Sequence, residues 1–493
     1  MSVVPVPEIT LTCSQVSQAI GVYHSILAGG ESVICGICTD SRLVKPGHLF
    51  FCLQGKNFDG HDFIQQAMNS GAVAVVLTES LVNLELLTST YPNVCFFPVV
   101  DTLRALGDLA GWWLKQLDPK VIAVTGSNGK TTTREMVSSV LSRKWEVHCN
   151  RGNLNNLIGV PLTIFEVKAH HQIVVLEMGM NCPGELARLA EISRPHVVVL
   201  TNVAAAHLEG LGSFAEVVRA KSEIFSGLRD HGYIIYNADD LRLAELVSRA
   251  VERNQTWEVV PVSLDSGSDS GLRVDDIVTV ADGMRFVLKT DSEVQPVALP
   301  LWGRHNVMNA LLAATVGWRE GLSLEEISHG LYNVSLPAGR LSAHVLSSGR
   351  VVIDDSYNAN PASMEASLQT LNEMCADRYR VAILGDMFEL GEASERFHAQ
   401  VGTAVALIQP DLLITYGLRS RVLARSSIAG GMPETAVISF IPGEEDDLLH
   451  ALHERLVAVS TDRQAEHVIL VKGSRGMGME KLVERLLAEE VNS

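Results

Sequence analysis

Apolar residues come in short, almost unbroken runs along the middle of the chain, and each run ends at polar or glycine residues. The runs are VIAVTG at 121–126, IVVLEMG at 173–179, HVVVLTN at 196–202 and YIIYNAD at 233–239. Strands that are apolar at nearly every position are buried on both faces, which is typical of parallel sheets covered by helices. The pattern therefore predicts a parallel α/β domain in the middle of the chain.

Similar strand patterns occur on both sides of this region. Towards the C-terminus, RVVIDDS, RVAILGD, DLLITYG and HVILVKGS precede helical segments and predict a second doubly wound α/β unit. Towards the N-terminus, LFFCL and AVAVVL predict strands, and FIQQAM between them predicts a helix. We therefore predict an α/β protein of three domains, with boundaries at 1–101, 102–334 and 335–493.

The interval from Trp257 to Leu301 departs from this alternation. TWEVVPVSL, DIVTVAD and MRFVLKT predict a β-rich excursion, and Asp282-Gly283 predicts a turn within it. SLDSGSDSG at 263–271 is the most linker-like stretch and predicts a loop inside the central domain. The chain then returns to a predicted helix in GRHNVMNALLAATVGW.

Charge and hydropathy narrow the classes of partner. The 493 residues include 57 acidic and 39 basic side chains, which gives a formal net charge of −18. Such a surface repels nucleic acid and anionic membrane, so we expect neither as a partner. No apolar run approaches the ~18 residues of a membrane span, and MSVVPVPEIT does not resemble a secretion signal. We expect a cytoplasmic protein with reduced thiols, in which Cys35 and Cys38 are structural rather than redox or metal-binding residues.

Candidate chemistry begins where the first central strand ends. The loop GSNGKT at 126–131 precedes a predicted helix whose apolar stripe includes Met136 and Val140. Loop amides and a helix N-terminus converge on an anion, Lys130 can contact the outer phosphates of a nucleotide, and the Thr131 hydroxyl can bind Mg²⁺. The spacing is GxxGKT, shorter than the common GxxxxGK[ST]. A chance glycine turn is the alternative, and the loop by itself names no reaction.

Three further polar residues are candidates for the same site. Glu177 ends a predicted strand, where a carboxylate faces the ligand crevice of a parallel sheet and could hold Mg²⁺. A solvated strand-end acid is the alternative. His207 follows the next strand, so we expect it at the same crevice. Lys221 lies in the predicted helix SFAEVVRAKSEIFSGL, and the residues alone predict a solvated or snorkelling side chain.

Six motifs occur along the chain in the order TGSNGKTTT, LEMGM, TNVAAAHL, AKSEIF, GRHNVMNALLA and DDSYNANP. Together they resemble the Mur ligase family of peptidoglycan precursor synthesis, over almost the whole chain from TDSR at 39–42 to VKGSRGMGME at 471–480. The resemblance implies an N-terminal domain for the UDP end of a substrate, a central ATP-binding domain and a C-terminal Rossmann-like domain. It also implies ATP-dependent amide-bond formation through an acyl phosphate.

Three stretches indicate which amine attacks the acyl phosphate. They are NLNNLIGVP (153–161), DDSYNANP (354–361) and GDMFELGE (385–392). These stretches are similar to those of the family members that join D-alanyl-D-alanine to UDP-N-acetylmuramoyl-tripeptide. The DNPR motif of the members that add the third amino acid is absent from the sequence. A ligase with another acceptor amine and a non-catalytic nucleotide-binding regulator are the alternatives. The third peptide residue, diaminopimelate or lysine, stays open, and we expect a monomer.

The resemblance also implies roles for individual residues. Two magnesium ions are implied, one at Thr131 and Glu177 and the other at His207, with a carbamylated Lys221 as a further metal ligand. Lys130, Glu177, His207 and Lys221 form the implied catalytic set. The implied ATP-binding residues are Thr125, Gly126, Ser127, Asn128, Gly129, Lys130, Thr131, Asn306, Asn309, Arg340 and Asp355. The implied substrate-binding residues are Ser41, Arg42, Asn153, Asn155, Asn156, Asn358, Asn360, Lys472, Ser474 and Arg475.

Several of these positions have a simpler structural interpretation. Asn306 could cap a helix, and Asn309 could lie on a polar helix face. The segment 354–356 could be a turn at a strand end, 40–42 could be an ordinary turn, and the asparagines within 153–156 could form a polar loop. Because Arg340 and Asp355 lie in the third domain, they would meet ATP only when that domain closes.

Overall fold

Four β-sheets follow one another in the computed structural model, which describes residues 6–22, 32–55, 57–205, 208–265, 271–347, 349–374, 378–460 and 467–488. Three of them are mainly or wholly parallel, and one is small and antiparallel. The predicted α/β class with three domains is confirmed. The boundaries at 101/102 and 334/335 stay predictions.

The first sheet consists of Glu8–Thr12 (β1), Val33–Cys38 (β2), His48–Phe51 (β3), Ala74–Thr78 (β4) and Cys95–Val99 (β5). Its order is β1-β2-β3-β4-β5, with β1 antiparallel to β2 and the other pairs parallel. The helices of this part are Cys13–Ile20 (α1), Ile64–Asn69 (α2), Leu84–Thr90 (α3) and Thr102–Leu117 (α4). The strands and helix predicted from LFFCL, AVAVVL and FIQQAM correspond to β3, β4 and α2.

The central sheet is entirely parallel. Its strands are Lys120–Thr125 (β6), Val147–Cys149 (β7), Ile173–Glu177 (β8), Val197–Leu200 (β9), Tyr233–Asn237 (β10) and Glu258–Val262 (β11). Its helices are Lys130–Leu141 (α5), Gly159–Phe165 (α6), Glu185–Ser193 (α7), Leu208–Leu211 (α8), Phe214–Ser222 (α9) and Leu241–Arg253 (α10). The order β11-β10-β9-β6-β8-β7 places β6 between β8 and β9, so the carboxyl ends of these three strands meet where ligands bind in open α/β sheets.

The β-rich excursion is smaller than predicted. The assignment of TWEVVPVSL to it is wrong, because β11 pairs in parallel with β10 and extends the central sheet. The excursion comprises Arg273–Val280 (β12), Gly283–Lys289 (β13) and Val294–Leu299 (β14), an antiparallel sheet whose first turn contains Asp282-Gly283 as predicted. The predicted loop at 263–271 falls mostly on 266–270, outside the described residues. Arg304–Arg319 (α11) and Leu324–Tyr332 (α12) follow.

The last sheet has the predicted strand-then-helix pattern. Its strands are Ser342–Val345 (β15), Val351–Asp355 (β16), Tyr379–Gly385 (β17), Leu412–Tyr416 (β18), Val437–Phe440 (β19) and His467–Lys472 (β20). Its helices are Pro361–Met374 (α13), Ser394–Ile408 (α14), Ser420–Ala429 (α15), Glu445–Ser460 (α16) and Glu480–Ala488 (α17). The order is β15-β16-β20-β17-β18-β19, with only the β15–β16 pair antiparallel.

Packing fixes the start of α5 above the end of β6. The predicted apolar stripe of α5, from Met136 to Leu141, is fully buried in a core that also contains Ile122 of β6 and Val307 of α11. Burial of each large side chain of this kind contributes roughly 1.5–3 kcal/mol. The helix N-terminus is thereby held at the ligand-binding edge of the sheet.

Two further observations bear on the predictions about membranes and thiols. Within the described part of the chain, no helix is both long enough and apolar enough to cross a bilayer. Cys35 and Cys38 lie three positions apart on β2, the first exposed and the second buried. Side chains three apart on a strand point to opposite faces, so this strand does not bring the two thiols together.

Candidate functional site: a cleft between the central and last sheets

Two glycines shape the loop between β6 and α5. Gly129 has a φ of 76°, and an added Cβ would lie 2.7 Å from Asn309 Oδ1. Gly126 has a φ of 153°, and an added Cβ would overlap Thr201 Oγ1. Both the backbone conformation and the lack of space therefore require glycine. The loop delivers its amides to the N-terminus of α5, where the helix dipole favours an anion.

Residues that follow β9 hold this loop in place. Asn202 Oδ1 accepts a hydrogen bond from the Asn128 amide at 2.9 Å, and the Thr201 hydroxyl donates to the Asn128 carbonyl at 2.5 Å. The Ser127 hydroxyl donates to the Ala204 carbonyl at 3.0 Å. The chain itself therefore preorganises the phosphate loop.

Lys130 lies directly above the loop. Its Nζ donates to the carbonyl oxygens of Gly126 at 3.0 Å and Ser127 at 3.1 Å. Burial lowers the pKa of Lys130, Glu177 opposes that shift, and the positive charge of Arg340 adds to it. The positive charges of Lys130 and Arg340, one from each side of the cleft, therefore lie close enough to interact. Two neighbouring cations of this kind suit a polyanion.

Glu177 is buried at the end of β8 and is held by three donors. Its Oε2 accepts from the Thr131 hydroxyl at 2.7 Å and from Arg134 Nη1 at 3.2 Å. Its Oε1 accepts from Asn155 Nδ2 at 2.7 Å. The alternative of a solvated strand-end acid is wrong. The structure instead brings together the hydroxyl and the carboxylate predicted as magnesium ligands.

Helix α9 carries Lys221 into the protein interior. The side chain is 2% exposed, so the solvated lysine predicted from the residues alone is wrong. The reason is that the neighbouring Val217 and Ala220 are also buried, which turns this face of α9 towards the core. Burial, followed by the positive charge of Lys130, lowers the pKa of Lys221 well below its usual range. His207, predicted at the same crevice, lies outside the described residues.

The last sheet contributes a charged pair to the opposite side of the cleft. Asp355 and Lys472 are register neighbours on β16 and β20, and their side chains form a hydrogen-bonded ion pair. Asp355 also accepts from the Ser367 hydroxyl at 2.6 Å and from the Leu341 amide at 3.2 Å. Lys472 Nζ donates to the Asn358 carbonyl at 3.2 Å. Asp355 therefore ties two strands together beside the cleft and is more than a turn residue.

The guanidinium groups of two arginines lie near the Tyr357 ring at the edge of the cleft. The Arg340 guanidinium lies 4.0 Å from the ring centroid and the Arg475 guanidinium 5.5 Å from it. Arg340 Nε is buried and has no hydrogen-bond partner within the described chain. The Arg475 side chain is 63% exposed, with an ion pair to Glu480 at 3.5 Å. An unsatisfied guanidinium donor and an accessible guanidinium both suit anionic ligands.

Asn306 and Asn309 lie in the first turns of α11. Asn306 Nδ2 donates to the Trp302 carbonyl at 2.8 Å, and Asn309 Nδ2 donates to Asn306 Oδ1 at 3.1 Å. Both side chains are buried, and the N-cap position belongs to Gly303. The simpler interpretations as a cap and as a polar outer face are therefore wrong. The two amides form a short chain that ends beside the phosphate loop at Gly129.

One cleft of about 830 Å³ collects most of the predicted site residues. Across it, Asn360 Nδ2 donates to Asn128 Oδ1 at 2.6 Å, and Asn128 Nδ2 donates to Asn360 Oδ1 at 3.2 Å. The backbone amide of Glu209 also donates to the carbonyl of Glu389 at 3.1 Å. The predicted residues that line the cleft are Ser127, Asn128, Gly129, Lys130, Thr131, Asn153, Asn155, Asn156, Glu177, Asn306, Asn309, Arg340, Asp355, Asn358, Asn360, Lys472, Ser474 and Arg475.

Some predicted residues lie elsewhere. Ser41 and Arg42 are not part of the cleft lining and form a short 3-10 turn after β2, where Arg42 pairs with Asp40 at 2.6 Å. This local geometry is that of the ordinary turn named as the alternative. Thr125 lies behind the loop, and its hydroxyl donates to the Met178 carbonyl at 2.8 Å.

Sequence reasoning missed two residues that hold Glu177. Arg134 contacts its carboxylate, and Asn150 bonds its backbone on both sides, accepting from the amide at 2.9 Å and donating to the carbonyl at 2.8 Å. The signal for Arg134 is its place three residues before Val137, inside the apolar stripe of α5. Asn150 gives no such signal, because its contact with β8 exists only in the tertiary structure.

Comparison with known proteins decides the family. The profile of the Mur ligase middle domain matches residues 124–317, that of the Mur ligase glutamate ligase domain matches 339–475, and that of the Mur ligase family catalytic domain matches 33–112. UDP-N-acetylmuramoyl-tripeptide–D-alanyl-D-alanine ligase of Escherichia coli (strain K12) is 38% identical over 470 residues, 95% of this chain and 97% of the relative. The chain belongs to the Mur ligase family. The resemblance predicted from the six motifs is thereby confirmed.

Solved structures of Mur ligases share the fold along the chain. Crystal structure I of MurF from Acinetobacter baumannii superimposes with a TM-score of 0.85 at 32% identity, covering 98% of this chain and 100% of that one. The MurF ligase of Thermotoga maritima in complex with ADP gives 0.78 at 26% identity, covering 92% and 98%. As a Mur ligase, the chain is an ATP-dependent ligase with the three-domain architecture of the family.

Proposed function

We propose that this Mur ligase joins D-alanyl-D-alanine to UDP-N-acetylmuramoyl-tripeptide, forming the pentapeptide, ADP and phosphate. The observation that carries the proposal is the cleft in which the phosphate loop of the central sheet faces the cationic end of β20. The name of the Escherichia coli relative supports the choice of substrates. In this proposal residues 1–101 bind the UDP end, 102–334 bind ATP, and 335–493 bind the dipeptide.

The nucleotide would lie along the loop and the start of α11. The residues from Thr125 to Thr131 surround the phosphates, since their backbone turns at Gly126 and Gly129 towards the N-terminus of α5. Asn306 and Asn309 supply amides for the adenine edge. Arg340 and Asp355 approach the phosphates and ribose from the last domain, because both line the same cleft.

The chemistry requires that two anions approach each other. The terminal carboxylate of the tripeptide attacks the γ-phosphorus of ATP, which forms an acyl phosphate and releases ADP. The neutral amine of the dipeptide then attacks the acyl carbon, and the tetrahedral intermediate loses phosphate and a proton to give the amide. Lys130 and Arg340 offset the negative charge that opposes the first attack.

Thr131 and Glu177 are the proposed protein ligands of one magnesium ion. They fit it, since a hydroxyl and a carboxylate in contact are hard oxygen donors, and Asn155 fixes the second carboxylate oxygen. No three His, Cys, Asp or Glu side chains of the described residues are placed to hold a metal ion together, so water and substrate oxygens would complete the coordination. When bound, the ion neutralises phosphate charge. His207 is proposed for the second ion on the resemblance alone.

Lys221 is proposed to carry a carbamate. Burial and the positive charge of Lys130 lower the pKa of this amine and so favour its uncharged form, which is the form that adds to CO₂. The new N–C bond releases one proton and creates a carboxylate. That anion would face Lys130, whose positive charge acts on the same amine. The modification would thus place an anion beside Lys130, whose positive charge disfavours protonation of the unmodified amine.

The remaining residues are proposed for the two ends of the substrates. Asn153, Asn155 and Asn156 would line the groove of the muramoyl peptide, and Ser41 with Arg42 would meet the uridine diphosphate. The dipeptide would bind among Asn358, Asn360, Lys472, Ser474 and Arg475. Because Lys472 is already paired with Asp355, the exposed Arg475 is the better partner for its carboxylate.

Phosphate release in the presence of ATP, Mg²⁺ and UDP-N-acetylmuramoyl-tripeptide tests this function. We expect release with D-alanyl-D-alanine and none with single amino acids, together with a product whose mass corresponds to the pentapeptide. Release with a free amino acid but not with the dipeptide would mean a ligase with another acceptor. Nucleotide binding without any release would favour the regulator.

A further inference from the structure

A buried arginine links the predicted magnesium site to the predicted peptide groove. Arg134 lies four residues after Lys130 on α5, and its side chain is 0% exposed. A guanidinium stays charged at any pH compatible with folding, so it is retained in a protein interior only where partners compensate the charge. Its partners therefore indicate what this residue does.

The guanidinium contacts three different segments. Nη1 donates to Glu177 Oε2 at 3.2 Å, at the end of β8, and to the Gly152 carbonyl at 3.3 Å. Nη2 is hydrogen-bonded to Glu135 Oε1 on the same helix. Gly152 directly precedes Asn153 in the loop between β7 and α6, which also contains Asn155. A single nitrogen, Nη1, therefore holds both the carboxylate and this loop, while Nη2 is held by Glu135.

The remaining contacts of the carboxylate close this arrangement into a ring. Thr131, one turn before Arg134 on α5, donates to the same Oε2 at 2.7 Å. Asn155, three residues after Gly152, donates to Oε1 at 2.7 Å. Helix, strand end and loop thus constrain one another through Glu177, and Arg134 is the member that touches both of the other segments.

We propose that Arg134 is a positioning residue that couples the metal carboxylate Glu177 to the loop that binds the muramoyl peptide. The proposal rests on the proposed function for the identity of the peptide, but its metal-binding part does not depend on it. Without the guanidinium, Glu177 can rotate away from Thr131, and the Gly152 carbonyl loses its anchor. Metal affinity and peptide affinity should therefore fall together, whereas the loop amides that bind the nucleotide are unaffected.

Three variants separate this role from simple core packing. Arg134→Met keeps most of the volume and removes the charge and all donors. Arg134→Lys keeps a cation but has one ammonium group on a shorter side chain, which cannot reproduce the contacts of Nη1 with Glu177 and Gly152 together with that of Nη2 with Glu135. Glu135→Gln is the matched control, because it weakens the other ion pair of the same guanidinium and leaves both functional contacts in place.

The primary measurement is Mn²⁺ binding to the ADP-loaded full-length protein, followed by electron paramagnetic resonance. We expect the dissociation constant of Mn²⁺ to rise by about 10–100-fold in Arg134→Met and by less in Arg134→Lys, as found when partners of metal ligands are lost. The KM for the tripeptide should rise in parallel. Metal-free ADP affinity, measured in EDTA, should be unchanged in all variants, and Glu135→Gln should match the wild type.

Two results would overturn the proposal. Wild-type Mn²⁺ affinity in folded Arg134→Met would remove Arg134 from the metal site. A loss of metal-free ADP affinity in proportion to the loss of Mn²⁺ affinity would show a purely structural role. If Arg134→Met does not fold, the comparison of Arg134→Lys with Glu135→Gln decides in the same way. Absence of ligation by the wild type would contradict the proposed function. The Mn²⁺ measurements would still test whether Arg134 positions Glu177, because they do not depend on that function.

Discussion

Lys221 shows how burial alone changes what a side chain can do. On an exposed helix face this lysine would be a solvated cation, but here the amine is enclosed and Lys130 repels its charged form. The described residues around it supply no carboxylate that restores the charge. Lys221 does not line the cleft, but its amine is buried and lies within the electrostatic influence of Lys130. A buried lysine whose charged form is disfavoured calls for a chemical reason, and the proposed carbamate provides one.

The first prediction concerns this residue. Lys221→Ala should reduce ligation by at least about 100-fold, a loss typical of a group that stabilises transition-state charge, and short carboxylic acids added to the buffer should restore part of the activity. In the wild type, ¹³C-labelled bicarbonate should give a carbamate resonance that the variant lacks. The exposed Lys481→Ala is the control and should behave as the wild type. Full activity of Lys221→Ala would exclude Lys221 from the mechanism.

At the scale of secondary-structure elements, the edge of the sheet opposite the cleft is held by a histidine. His196 immediately precedes β9, and its Nδ1 accepts a hydrogen bond from the Val121 amide of β6 at 2.9 Å. Burial, followed by the charges of Arg229 and Lys120, lowers the pKa of His196 to about 4. The neutral ring is therefore the form that joins the two strands on which the phosphate loop depends.

The second prediction is a pH dependence of stability. An unfolded histidine titrates near 6.5, so above that pH the ring is neutral in both states and its contribution is complete. Between pH 6.5 and 4 the unfolded chain takes up the proton first, and the free energy of unfolding decreases. The urea midpoint of the wild type should therefore fall more steeply over this range than that of His196→Asn, whose amide oxygen accepts the same bond without titrating. Parallel curves for the two proteins would contradict this expectation.

At the scale of the whole molecule, the cleft exists because two domains meet at it. The phosphate loop and the segment before α13 exchange two side-chain hydrogen bonds through Asn128 and Asn360. Asn360 also caps α13, because its Oδ1 accepts from the Ser363 amide at 3.0 Å. This amide pair therefore connects the loop proposed to bind phosphate to a helix of the domain proposed to bind the acceptor.

The third prediction is that this pair of asparagines favours the closed arrangement, in which the central and last domains meet at the cleft as they do in this structure. Asn128→Ala removes both bonds while leaving the Asn360 cap and the backbone contacts of the loop intact. At about 1 kcal/mol for each of the two hydrogen bonds, the equilibrium constant between the closed and open arrangements should fall by about 30-fold. Small-angle scattering of the ligand-free variant should show a larger radius of gyration, which ATP reduces, and the KM for ATP should rise. Asn333→Ala, which loses only an exposed bond to His329, is the control. Identical scattering profiles of variant and wild type would argue against the role of the pair.

The elements around the site were largely predictable because their signals are local. Unbroken apolar runs identify the strands of parallel sheets, the glycines and Lys130 mark the phosphate loop, and the ordered motifs specify the family. The prediction went wrong for β11, since the residues of a strand do not state which neighbour the strand pairs with. For Ser41 and Arg42 the structure gives only the local geometry, a 3-10 turn after β2, and their role in binding the substrate stays a prediction.

By itself, the sequence determined the fold class and the position of the phosphate loop, because backbone sterics, hydrophobic periodicity and motif spacing act over a few residues. The kind of reaction was indicated by the resemblance of the ordered motifs to the Mur ligase family. Only the tertiary structure decided that Lys221 is buried, that Arg134 and Asn150 hold Glu177, and that Asn128 meets Asn360. Each of these contacts joins segments that are distant in the chain. Burial and hydrogen bonding depend on which surfaces the fold brings together, and a local sequence pattern does not specify these long-range contacts.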